Sequence, residues 1–278
     1  MDELAERFEE HREHLNRVAY RMLGSTSEAE DAVQEAWLRL SRADADAVAN
    51  LGGWLTTVVA RVCLDLLRSR RARREQAPDP WLPEPVVRID EGPEEQALLA
   101  DSVGVALLVV LETLTPAERL AFVLHDMFAV PFSEIGEILE RTPDAVRQLA
   151  SRARRRVRSG ASVPETNVAR QRELVDAFLA ASRAGDFDAL VALLDPDVVF
   201  RVRGGRARPA TVHGPAEVAR TVLTRGARFA HLGRRALVNG MPGVLVGPLE
   251  RPISVVAFTV ARGRIASVDV IASPATGR

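Results

Sequence analysis

Residues 131–158, PFSEIGEILERTPDAVRQLASRARRRVR, restrict the fold of this chain more than any other stretch. Thr142 can cap the free amides of a helix whose first position is Pro143, where the missing N–H costs nothing. Val146, Leu149, Ala150, Ala153 and Val157 recur at helical spacing and can pack on Ile135, Ile138 and Leu139 of a preceding helix. The opposite face carries Arg147, Gln148, Ser151, Arg152 and Arg155, with no acidic residue after Asp144. The pattern is a helix-turn-helix. A helix apolar on one side and basic on the other can enter the major groove, where Arg pairs bidentately with guanine and Gln with adenine. A run of Arg is equally often a solvated helix face, so spacing alone leaves both readings open.

Net charge of −1 and 47% hydrophobic residues exclude a disordered or generally sticky chain, and 278 residues suit about two domains. The charge is unevenly placed: an acidic first decade contrasts with Arg-dense stretches at 68–74 and 147–158. Local basic patches in a neutral total point to nucleic-acid contact at defined places. The single cysteine, Cys63, rules out an internal disulfide framework and a cysteine-based zinc site, and its apolar neighbours place it in a core. No cofactor and no metal is called for. The start lacks a signal-peptide pattern, and the longest apolar run, near 103–111, is well below the roughly 20 residues of a membrane span, so a cytoplasmic protein is expected.

In chain order, helical periodicity covers 3–23 and stops at Gly24. Ser27 with Glu30 then suggests a capping box before an apolar stripe of Ala32, Val33, Ala36, Trp37 and Leu40. Asp31, Gln34, Glu35 and Arg39 face the other way. A turn-rich loop at 43–53 leads into a third helix from about Gly52 to Arg74, which ends in a cluster including Arg61, Arg68, Arg70 and Arg71. Residues 75–93 are a proline-rich linker in which Trp81-Leu82 suggests a docking segment. Helical period resumes at 94–111, and Thr115-Pro116 starts another helix.

From residue 169 the pattern changes. Helices at 169–184 and 186–194 precede a strand, VVFRV, a Gly-Gly turn at 204–205 and a short helix at 214–224. Four β-like runs follow at 228–238, 243–249, 252–261 and 264–272, with Asn239-Gly240 as a hairpin signal. Helices before an antiparallel meander predict an α+β layer whose curved sheet wraps a helix and leaves a pocket.

The segments DAVQEAWLRL at 31–40, NLGGWLTTVVARVCLDLLRSRR at 50–71 and LTPAERLAFVLHDMFAVPFSEIGEILERTPDAVRQLASRARRRV at 114–157 together resemble the extracytoplasmic-function sigma factors of bacterial RNA polymerase, in the sigma-70 superfamily. The resemblance implies a multidomain chain. Sigma region 2, a helical bundle, would occupy 1–74; a linker 75–93; and sigma region 4, with the helix-turn-helix, 94–160. It implies core polymerase and promoter DNA as partners. Asp31, Gln34, Glu35 and Trp37 would meet the polymerase. Asn50 would hold a flipped minus-ten base, with Arg61, Arg68, Arg70 and Arg71 on the opened strand's phosphates. Arg147, Gln148, Ser151 and Arg152 would read the minus-thirty-five element, with Arg155 and Arg156 on phosphate.

Residues 169–278 resemble SnoaL-like domains, α+β cones with a curved antiparallel sheet. WLPEP at 81–85 is similar to the linker motif of the sigma-factor subgroup carrying such a domain, in which it acts in cis. That resemblance marks Trp81, Leu82, Pro83, Glu84, Pro85, Gly204 and Gly205 as interdomain regulatory positions. Two segments depart from the subgroup: Arg203 stands where an Asp is usual before the glycines, and ASPAT at 272–276 replaces an Asn-Pro-Asp-Lys-Leu-like ending. Two other readings compete. A cyclase- or isomerase-like site could use His213, His231, Asp195, Asp197 or Asp269, of which only His231 and Asp269 are expected on strands; alternatively the pocket binds a small molecule without converting it. A DNA-binding regulator that never meets polymerase would explain 131–158 but not the first 74 residues.

Overall fold

The computed structural model describes residues 2–43, 50–76, 85–89, 105–160, 167–204 and 210–272. The chain divides into two compact units: one of residues 1–84 and 110–157, the other of 85–109 and 158–278. Trp81, Leu82, Pro83, Glu84 and Gly205 lie outside the described residues.

In the first unit, helix α1 (Asp2–Leu23) buries Phe8, Leu15, Val18, Ala19 and Met22 against α2 (Thr26–Leu40) and α3 (Leu51–Gln76). The cap of α2 is Ser25 rather than Ser27, its hydroxyl accepting from the Glu28 amide at 3.3 Å. Helix α3 starts one residue earlier than its glycines suggest, because Asn50 caps it: the Asn50 side-chain oxygen accepts from the Gly53 amide at 3.0 Å. A Cβ at Gly53 would fall 2.7 Å from the Asn50 amide nitrogen, so glycine there gives the cap its room. Burial pushes the Cys63 thiol up to about 12, although the Arg119 charge works against it, so the thiol stays protonated inside the core.

Past a short helix, α4 (Val105–Leu111), the same unit contains α5 (Pro116–Phe122), which runs into a π-helical turn (Val123–Met127), then α6 (Phe132–Leu139) and α7 (Pro143–Gly160). The Thr115–Glu118 capping box at the start of α5 is complete. The segments expected as separate region 2 and region 4 modules thus form one body, with α3 touching both α5 and α6. Arg119 is at their junction. Only 2% exposed, it is ion-paired to Glu112, and its Nη2 donates to the Arg21 carbonyl at 3.5 Å. Arg21 in turn lies 4.8 Å over the Phe128 ring, which meets His14 edge-on.

The second unit is built on a seven-stranded sheet of order β1-β4-β5-β6-β7-β2-β3. Its strands are β1 (Val87–Ile89), β2 (Leu194–Gly204), β3 (Ala210–His213), β4 (Gly233–Val238), β5 (Met241–Val246), β6 (Ser254–Ala261) and β7 (Arg264–Ala272). The sheet corrects the sequence reading in three ways. It is mixed rather than antiparallel, because β2 runs parallel to β7. Residues 210–213 form a strand that no periodicity signalled. The first of the four expected runs begins as a helical turn, so β4 starts only at Gly233.

The expected linker contributes β1, which pairs antiparallel with β4 from Val87↔Val238 to Ile89↔Ala236. Asn239 fixes that edge. It and Gly240 adopt φ of 53° and 75° in the two-residue turn between β4 and β5, while the Asn239 side-chain oxygen accepts from the Val86 amide at 2.8 Å. Helix α8 (Val168–Ala184), capped by Asn167, covers one face of the sheet through Leu174, Val175, Phe178 and Leu179. Phe178 meets Phe258 edge-on at 5.1 Å. Helices α9 (Phe187–Leu193) and α10 (Pro215–Thr221), the latter continued by a π-helical turn (Val222–Gly226) into α11 (Ala227–Ala230), complete the layer around a cavity of about 800 Å³.

Candidate nucleic-acid interface

Helix α7 is held from both ends of its turn. The Thr142 hydroxyl accepts from the Ala145 amide at 3.3 Å, and Glu140, at φ 54°, reverses the chain after α6. A Cβ on Gly136 would sit 2.6 Å from the Arg141 carbonyl oxygen, so a side chain there would push the two helices apart. The buried stripe is as the periodicity predicts: Val146, Leu149, Ala150 and Ala153 are enclosed with Ile135, Ile138 and Leu139, while Val157 is half-buried. At about 100° per residue, Arg147, Gln148, Ser151, Arg152 and Arg155 occupy an arc of about 140° centred opposite that stripe. All five are exposed.

These cations differ in how firmly they are held. Arg147 makes an exposed ion pair with Asp144 and lies 5.5 Å over the Phe132 ring. Such a pair is worth about 0–1 kcal/mol, so the Arg147 guanidinium can leave it at little cost. Arg152 and Arg156, at the arc's edge nearest α5, both reach Glu118, at 3.3 and 2.7 Å. Glu118 is buried and also accepts from the Thr115 amide and hydroxyl, at 3.0 and 2.8 Å. Burial alone would raise its pKa, but the Thr115 hydrogen bonds and the two guanidinium groups outweigh that and hold the carboxyl below its ordinary value of 4.5. Sequence reasoning missed Glu118. Its only signal was the capping box, which shows the bond to Thr115 and not the bonds to α7.

In the region 2 helices, Arg61, Arg68 and Arg71 are exposed, and Arg68 pairs loosely with Asp65 at 3.6 Å. Arg70 departs from the expected phosphate-facing position. Its side chain is 10% exposed, donates to the Leu23 carbonyl at 3.0 Å and is ion-paired to Glu28, so it braces α3 against the corner between α1 and α2. The Asn50 side chain is exposed but committed through its oxygen to the cap of α3. Residues 44–49 of the expected base-holding loop lie outside the described residues. On α2, Asp31 and Gln34 are exposed, Glu35 is ion-paired to Arg39 at 2.9 Å, and Trp37 is half-buried with its ring 5.1 Å from Phe8.

The groups considered for catalysis do not come together. His213 is exposed at the end of β3, and His231 follows α11 in the turn before β4 rather than lying on a strand. Asp195 accepts from the Asp197 amide at 2.9 Å, a local turn at the irregular start of β2. Asp269 is buried on β7, where Arg201 reaches it at 3.2 Å and the Ser267 hydroxyl donates to it at 3.1 Å. Its strand neighbours Val268 and Val270 line the cavity and Asp269 does not, as alternation across a strand requires. Among the described residues there is no cluster of groups able to hold a metal, and no helix is long and apolar enough to cross a membrane. Gly204, at φ 76°, ends β2, and Arg203 precedes it on that strand; Pro85 is half-buried two residues before β1.

Comparison with known proteins agrees with this architecture. The family profile of sigma-70 region 2 matches residues 7–73, and that of sigma-70 region 4 matches residues 104–157. The chain is 42% identical to the extracytoplasmic-function RNA polymerase sigma factor SigJ of Mycobacterium tuberculosis, covering 96% of this chain and 91% of that one. It is 34% identical to the sigma factor SigI of the same organism, covering 96% and 92%. The crystal structure of M. tuberculosis SigJ superposes with a TM-score of 0.77 at 40% identity, over 97% of this chain and 96% of that one. Two region profiles in order, and likeness along nearly the whole length of a relative, fix the assignment: the chain belongs to the extracytoplasmic-function sigma factors of bacterial RNA polymerase.

Proposed function

We propose that this sigma factor binds core RNA polymerase through α2, with Asp31, Gln34, Glu35 and Trp37 at the contact, and is regulated in cis by its C-terminal unit through the linker. The observation that carries the regulatory part is the pairing of β1 with β4, which makes linker residues an edge strand of the C-terminal sheet. Trp81, Leu82, Pro83 and Glu84 adjoin that strand in sequence and extend the same regulatory segment. Arg147, Gln148, Ser151 and Arg152 read the minus-thirty-five duplex from the exposed arc of α7, and Arg155 and Arg156 meet phosphate. Arg61, Arg68 and Arg71 follow the opened minus-ten strand. The protein works in the cytoplasm, where its polymerase is. The C-terminal unit is a binding and regulatory module rather than an enzyme; in support, no His, Asp, Glu or Cys lines its cavity among the described residues.

Run-off transcription with core polymerase tests this reading. The full-length chain is expected to start transcription from a promoter carrying both elements, and Asn239→Gly to change the yield. Glycine keeps the turn but loses the side-chain bond to Val86, worth about 1 kcal/mol, so amides at 86–89 should exchange several-fold faster. Identical yields from the two proteins would sink the linker mechanism, and no initiation by either would sink the polymerase reading.

The arc of α7 makes a second expectation specific. Arg147→Ala should cost about 1–3 kcal/mol at one promoter position and relax selectivity there. Arg155→Ala should weaken all sequences alike and lower the salt slope by about one. Equal losses on every sequence from Arg147→Ala, measured by competition binding, would contradict the base-reading role.

A further inference from the structure

The cavity of the C-terminal unit has apolar walls and a charged mouth. Phe178 of α8, Phe200 of β2, and Val256 and Phe258 of β6 are among its lining, and its volume of about 800 Å³ is that of a site for a sizeable small molecule. Its polar groups are largely committed: the Ser182 hydroxyl donates to the Phe178 carbonyl at 2.7 Å, and the Thr224 hydroxyl to the Arg220 carbonyl at 2.8 Å. Among the described residues the only charged groups in the lining are Arg225 and Arg228. Both are exposed, three residues apart on the helical stretch over the opening, and neither is ion-paired to a described carboxylate; Arg228 rests 4.6 Å over the Phe229 ring. Two cations at that spacing repel each other unless an anion sits between them.

We propose that this cavity binds an amphipathic organic anion, a fatty-acid-like carboxylate whose chain fills the apolar interior and whose head is held by Arg225 and Arg228. Neither half of the lining suits another class. A neutral hydrocarbon would leave the two guanidinium groups unanswered, and a sugar or nucleotide would meet apolar walls without donors or acceptors to replace its water. A carboxylate between two guanidinium groups receives charge-assisted hydrogen bonds, which a hydroxyl head cannot match. The inference rests on the C-terminal unit being a binding module rather than an enzyme, so the ligand leaves the protein chemically unchanged.

The test is isothermal titration calorimetry of the full-length protein with octanoate, decanoate, dodecanoate and tetradecanoate, each below its micelle concentration, beside the matching primary alcohols. Affinity is expected to rise about fourfold per added methylene until the cavity is full. Arg225→Ala and Arg228→Ala should each weaken carboxylates about tenfold and leave the alcohols unchanged, whereas Arg220→Ala, paired to Glu217 outside the lining, should alter neither. Alcohols binding as tightly as carboxylates, affinity indifferent to chain length, or full affinity in the two mouth variants would each overturn the proposal. A ligand recovered chemically altered would instead overturn the non-catalytic reading, and run-off transcription, which needs no fatty acid, tests the polymerase reading separately.

Discussion

Replacing Arg119 with Met should lower the stability of the helical unit by about 3–5 kcal/mol, among the largest effects of any single change in the chain. The side chain is fully enclosed, and its partner Glu112 is itself mostly buried, so the substitution takes an enclosed guanidinium away from a carboxylate that has little access to water. It also removes the donor to the Arg21 carbonyl. The loss belongs to the buried carboxylate whose charge is less well answered more than to the bond itself. The double variant Arg119→Met with Glu112→Leu should therefore recover most of the loss in urea denaturation, and additive losses would show that the pair is not the source.

Arg119 also bears on how the protein works. The minus-ten and minus-thirty-five elements are roughly 25 base pairs apart, or about 85 Å along B-form DNA at about 3.4 Å per pair. A compact body of the size of the first unit has a radius of gyration of about 14 Å. With the minus-ten element proposed to lie on α2–α3 and the minus-thirty-five element on α7, such a body cannot meet both together. On that proposed assignment, promoter binding requires the region 2 and region 4 helices to part, and parting them brings Arg119, Arg21 and Phe128 into water. Core polymerase must supply binding energy in excess of that cost.

How much of this was legible in the sequence depends on the range of the interaction involved. The start of α7, its stripe and its exposed arc follow from local periodicity and a cap, and the structure matches them residue by residue. Cys63 was placed correctly because apolar neighbours at helical spacing leave it nowhere else to go. The capping of α3 was missed because Asn50 and Gly53 look like loop residues until the side chain folds back on the helix start. Arg70 is expected on the opened strand's phosphates with its neighbours, yet Glu28 and the Leu23 carbonyl, more than 40 residues away in sequence, draw it inward. The β1 strand was invisible for the same reason: three residues after a proline-rich run have no period to detect, and the turn that fixes them lies 153 residues further on. The sequence reading places His231 in a β-like run at 228–238, but the helical stretch continues to Ala230 and the strand begins only at Gly233.

Glu118 carries the second large expectation. Glu118→Ala removes the reciprocal half of the α5 capping box, about 1 kcal/mol, and the common anchor of Arg152 and Arg156, whose half-exposed bonds add about another 1–2 kcal/mol. A loss of about 2–3 kcal/mol is expected, with Glu118→Gln intermediate because the amide oxygen can still accept from Thr115. The pH dependence has a definite sign. The folded carboxyl titrates below its ordinary value of 4.5, so its contribution is complete above that pH and disappears as pH falls through the lowered folded value. Acid unfolding of the wild-type protein should therefore be steeper than that of Glu118→Gln, and the two curves should converge at the acid end. DNA binding should move the other way. With the carboxylate gone, Arg156 loses an anchor that competes with phosphate, and the log–log salt slope should steepen by about one. A variant of unchanged stability and unchanged slope would mean that Glu118 holds neither the start of α5 nor the edge of α7.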